Sequence, residues 1–65
     1  MGSGFYPQLR ALLLAHGCEF VRQGKGSHEA WRSPISGRTF PVAVTVASRT
    51  MANAVLKQAG ISQKL

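Results

Sequence analysis

Residues 38–46, RTFPVAVTV, alternate between apolar and other side chains. Successive side chains of a strand point to opposite faces, so Phe40, Val42, Val44 and Val46 fall on one face and Thr39, Pro41, Ala43 and Thr45 on the other. An apolar sheet face has to be covered, and the 65-residue chain has material for one covering layer. The covering elements are legible on either side. Pro7 suits a first helical turn, and Leu9, Leu12, Leu13 and His16 recur at helical spacing until Gly17, which predicts a helix over Pro7–His16. Ser48 reads as an N-cap. After it Met51, Val55 and Ala59, flanked by Ala52 and Leu56, form the apolar stripe of a second helix that stops at Gly60. Between the helices, CEFVRQ reads as a strand ending at Gly24, and His28–Ser33 as another closed by the turn residues of SPISG. Pro41 cannot donate to a ladder, which predicts an edge or a bulge in the third strand.

The order is therefore α-β-β-β-α. No linker, repeat or low-complexity run divides residues 1–65, and they read as one α+β domain: a three-stranded antiparallel sheet with two helices on one face. Residues 1–4, MGSG, read as a flexible lead-in to Phe5, either native or left by cloning. A domain of this size buries only ~60% of its unfolded surface, which argues against a large substrate cleft.

Eight Lys and Arg oppose two acidic residues, for a formal net charge of +6. Such a field answers a polyanion, and nucleic acid is the leading one. LRALLLAH is too short for a membrane span or an interfacial helix, so no membrane partner is expected. No secretory signal pattern opens the chain, and Cys18 is the single cysteine, which excludes an internal disulfide; both fit a reducing cytoplasm. Cys18 reads as a small buried apolar residue. The scattered His, Cys and Glu residues have no zinc-type spacing, so neither a metal nor another cofactor is expected.

The alternation of the second strand assigns its residues to faces. Trp31, with Glu29 and Ser33, should turn toward the helices; His28, Ala30 and Arg32 then share the open face. Trp31 reads as core, with a base-stacking platform as the other reading. The preceding GKGS is a tight turn or a phosphate-approaching loop, since glycines at 24 and 26 let backbone amides come close to an anion. Arg49, Asn53 and Lys57 form one helical stripe. It is either a solvated face or, with Lys25, Arg32 and Arg38, a track for a phosphate backbone. His16 reads as a structural or surface residue at a helix C-terminus.

FVRQGKGSHEAW, TFPVAV and SRTMANAVLKQAGIS resemble, in order and spacing, the HicA (YcfA-like) toxins of bacterial type II toxin–antitoxin modules, over Phe5 to Ser62. The resemblance implies a double-stranded-RNA-binding-domain-like fold, a ribosome-independent mRNA interferase activity, neutralisation by a HicB antitoxin, and an essential histidine at His28. The chain departs from the family pattern in three places. Glu29 stands where many members carry a second histidine, Pro41-Val42 replaces a proline-histidine pair, and Arg49-Thr50-Met51 replaces Gly-Thr-Leu.

Metal-free RNA cleavage needs a base to take the 2′-hydroxyl proton, an acid for the leaving oxygen, and a cation for the transition-state charge. Histidine's ordinary pKa of ~6.5 suits it to proton transfer near neutrality. His28 is the expected general acid or base, supported by Lys25, Gly26 and Ser27, with Arg22, Lys25 and Arg32 as the nearest cations; the second proton-transfer partner is not identified. RNA contact is expected at Arg22, Lys25, Arg32, Arg38, Arg49, Asn53 and Lys57. A HicB-like antitoxin would cover His28 and the basic face. The competing readings are a non-catalytic RNA-binding module and, more weakly, a DNA-binding partner, for which no helix-turn-helix pattern is visible.

Overall fold

A computed structural model describes residues 4–65. The elements are α1 (Tyr6–Ala15), β1 (Glu19–Gln23), β2 (His28–Arg32), β3 (Thr39–Ala43) and α2 (Arg49–Gln58). The strands form one antiparallel sheet in the order β1-β2-β3, and the α-β-β-β-α order is the expected one. Of the expected lead-in, residues 1–3 lie outside the described residues. The shortest dimension of the molecule, 16 Å, is that of one sheet and one layer of helix.

Both helices end by the same device. Gly17 (φ 86°) and Gly60 (φ 79°) take the left-handed conformation that favours glycine. The next amide then reaches back into the last turn: Cys18 N donates to Leu13 O at 2.9 Å and Ile61 N to Leu56 O at 2.9 Å. In each case the two residues so joined are buried in the core, as expected of the apolar contact that accompanies a Schellman motif. Cys18 thus belongs to the end of α1 rather than to the first strand. At the other end of α2, Ser48 Oγ accepts from Met51 N at 3.1 Å, the expected N-cap.

The core lies between the helices and one face of β2 and β3. Leu9 and Leu13 from α1, Ala52 and Leu56 from α2, Trp31 from β2, and Phe40 and Val42 from β3 are all buried. Ser33, fully buried just beyond β2, ties the layers together: its Oγ donates to Ala59 O at 2.5 Å and accepts from Ile35 N at 3.1 Å. Ser33 thereby satisfies a carbonyl at the end of α2 and an amide of the β2–β3 connection.

Some expectations need correction. β3 stops at Ala43 instead of running to Val46, because β2 has run out of strand to pair with it; Val44 N bonds Ser27 O in the turn before β2 (2.9 Å), and Val46 N closes back on Ala43 O (3.1 Å). Val46 is still buried but reaches the core through that turn, while Val44 is only half-buried. Pro41 sits in unbroken register on an edge strand, the first of the two expected alternatives, and the one register shift of the sheet falls in β1, between Phe20 and Arg22. Met51 is half-exposed and outside the core. No residue of β1 is buried; Phe20 only leans edge-on against Trp31, with ring centroids 6.1 Å apart.

Candidate active site

Gln23 ends β1 and His28 begins β2, and the intervening residues fold into a tight turn. His28 N donates to Lys25 O at 3.1 Å. Gly26 has φ 61° while no other residue type among the described residues takes positive φ, the sign pattern of a type II′ turn, which calls for glycine at its first central position. Gly24 is favoured for a different reason: a Cβ there would lie 3.0 Å from His28 O, a tight contact, and its N–H donates to that oxygen at 2.9 Å. The Gln23 side chain adds a staple that the sequence did not reveal. Its Nε2 donates to His28 O at 3.1 Å and Gly26 O at 3.3 Å. No residue pattern singles out such a contact in advance, since it depends on the turn being formed.

The turn holds His28 by its main chain. Its side chain is exposed on the sheet face opposite the helices, because His28 pairs with Ala43 while the neighbouring Glu29 pairs with the buried Val42. Register brings further residues to this open face: Arg22 stands opposite Ala30, which in turn faces Pro41, and Arg32 faces Thr39. Between them runs a shallow concavity of about 320 Å³. Arg22, Lys25 and His28 line it, over a floor that includes Ala30, Thr39 and Pro41. The floor is small-residue and uncharged, so an extended chain can lie against the sheet while cationic groups reach it from one end.

Arg32 shares this face, four residues and about 13 Å along β2 from His28, beside a separate concavity that it lines with Glu19. Arg38 lies in the connection beyond it, its carbonyl accepting from Ser33 N at 3.0 Å. The α2 stripe is elsewhere. α2 packs by Ala52 and Leu56 on the other side of the sheet, so Arg49, Asn53 and Lys57 are not brought together with His28. Arg49 stacks its guanidinium 6.0 Å above the Phe5 ring. Asn53 Oδ1 accepts from Leu65 N at 2.8 Å, and Lys57 lines a concavity formed with the last residues of the chain. His16 is the C-cap of α1.

Glu29, next to His28, faces the helices. Its Oε1 accepts from Tyr6 Oη at 2.8 Å and from Trp31 Nε1 at 2.9 Å. Burial, then the hydrogen bond and charge of Glu29, raise the Tyr6 phenol above its ordinary value, with Arg10 opposing. The carboxylate therefore joins α1 to β2 directly behind His28. Among the described residues no three His, Cys, Asp or Glu side chains gather as a possible metal site, and no helix is long and apolar enough to cross a membrane.

A two-layer α-β-β-β-α domain that presents one histidine among cations on an open sheet face defines a class of small basic proteins with a solvent-facing site. Residues 6–61 match the family model described as the HicA toxin of bacterial toxin–antitoxin systems, and the chain belongs to that family. It is accordingly a toxin, and membership implies an antitoxin partner. No curated protein and no solved structure matched the chain.

Proposed function

We propose that this toxin is an endoribonuclease that cuts mRNA by internal attack of the 2′-hydroxyl, with His28 taking the proton. The observation that carries this reading is the exposed His28 side chain lining one concavity with Arg22 and Lys25. Imidazole supplies the base and the two cations offset charge as the phosphorane-like transition state forms. Arg22, Lys25 and Arg32 hold the RNA backbone along the open face, and Arg38 meets it only where it passes the β2–β3 connection. Arg49, Asn53 and Lys57 would meet only RNA that wraps around to α2. A HicB-like antitoxin acts by covering His28 and the cations beside it, in the cytoplasm where mRNA is found.

Substitution of His28 by Ala tests the reading. The folded variant is expected to bind RNA and to have lost at least about 10²-fold in cleavage rate. The unsubstituted chain is expected to cut in EDTA, to leave 2′,3′-cyclic phosphate or 3′-phosphate ends, and to bind but not cut RNA with a 2′-O-methyl group at the scissile nucleotide. Undiminished cleavage by His28→Ala overturns the assignment. If the unsubstituted chain binds RNA and never cuts it, the protein is an RNA-binding module of the same fold.

A further inference from the structure

Internal attack needs a proton for the leaving 5′-oxygen as well as a base, and because the attacking and leaving oxygens lie in line on opposite sides of phosphorus, the imidazole that reaches the 2′-oxygen is not the group beside the 5′-oxygen. The side chains lining the His28 concavity that carry a titratable group are Arg22, Lys25, His28 and Glu29. Arg22 is unsuited, because a guanidinium does not deprotonate in proteins. Glu29 is unsuited by direction: its Oε1 is taken on the helix side by Tyr6 and Trp31. Lys25 remains. It and His28 are the first and last residues of one turn, closed by the 3.1 Å bond from His28 N to Lys25 O, which keeps their Cα atoms within about 7 Å.

We propose that Lys25 is the general acid of this site, a catalytic residue rather than only a phosphate contact; the assignment rests on the nuclease reading above. His28 removes the 2′-hydroxyl proton as the 2′-oxygen bonds to phosphorus. The bond from phosphorus to the 5′-oxygen breaks, and the Lys25 ammonium gives that oxygen a proton. The products are a 2′,3′-cyclic phosphate and a 5′-hydroxyl, with His28 protonated and Lys25 neutral. Exchange with water restores both. Arg22, fixed in charge, offsets the negative charge of the phosphoryl oxygens. The short turn gives the pair its geometry: Gly26 at φ 61° and the Gln23 staple hold both residues at one end of the sheet.

The test compares ordinary RNA with RNA whose scissile 5′-oxygen is replaced by sulfur, since a departing thiolate needs no proton. Lys25→Ala and Lys25→Arg are each expected to cut ordinary RNA about 10²- to 10³-fold more slowly than the unsubstituted chain, and to come within about tenfold of it on the sulfur substrate. Lys25 is exposed, and circular dichroism confirms that both variants fold. Full activity of Lys25→Arg would assign the residue to charge alone, and equal deficits on both substrates would assign it to binding; either overturns the proposal. Unchanged cleavage by Lys25→Ala, with His28→Ala inactive, overturns it while leaving the nuclease reading in place. An unsubstituted chain that cuts neither RNA overturns both.

Discussion

Glu29 is where one side chain decides most. Its neighbour His28 faces solvent, while its own carboxylate receives Tyr6 and Trp31 from behind the sheet. A carboxylate satisfied by two neutral donors rigidifies the β2 end that carries His28. Because burial and Glu29 raise the Tyr6 phenol, the folded state holds that proton more tightly than the unfolded chain does. The associated stability is present below the phenol's ordinary pKa of ~10 and is lost as pH rises through the higher folded value. Tyr6→Phe is therefore expected to be less stable by about 1 kcal/mol at pH 8, with the gap narrowing by about pH 11. Urea midpoints at the two pH values measure it; a gap that widens with alkali contradicts the Tyr6–Glu29 pairing.

Among the elements, the join between the β2–β3 connection and α2 depends on Ser33. Its hydroxyl is fully buried and engaged both by donation to Ala59 O and by acceptance from Ile35 N. Ser33→Ala leaves a buried carbonyl and an amide without that partner. The expected loss is about 1–3 kcal/mol in chemical denaturation. RNA cleavage per folded molecule should stay unchanged, because Ser33 lies on the helix side of the sheet. The sequence placed Ser33 on that side with Trp31, since strand alternation is local; its bonding to Ala59 was not legible, because the two residues are 26 positions apart.

At the scale of the whole molecule, the +6 charge is divided between two sides. Arg22, Lys25 and Arg32 belong to the open sheet face, while Lys57 belongs to α2 behind it. Each phosphate contact contributes about one unit to the dependence of log affinity on log salt. On an inactive His28→Ala background, Lys25→Glu or Arg32→Glu is expected to lower that slope by about 1 for single-stranded RNA, and Lys57→Glu to leave it nearly unchanged. Fluorescence anisotropy across a salt series reads the slopes. Equal effects at Lys25 and Lys57 would require RNA to engage both sides.

Legible from residue order alone were the succession of the elements, the caps at Ser48, Gly17 and Gly60, and the parity of β2 that turns His28 outward and Trp31 inward. These follow from steric and hydrogen-bonding rules that act within a turn of helix or along one strand. The Gly-Ser-His stretch and its companions also carried the family. The tertiary structure alone decided where β3 ends, which depends on the length of β2 available to pair with it. It also decided that Phe20 stays half-exposed while Trp31 is buried, because the helices cover β2 and β3 more fully than β1. The same docking put the stripe of Arg49, Asn53 and Lys57 in a different layer from His28. Helical periodicity groups residues on one helix, but which side of a sheet that helix covers is settled only when distant apolar faces meet.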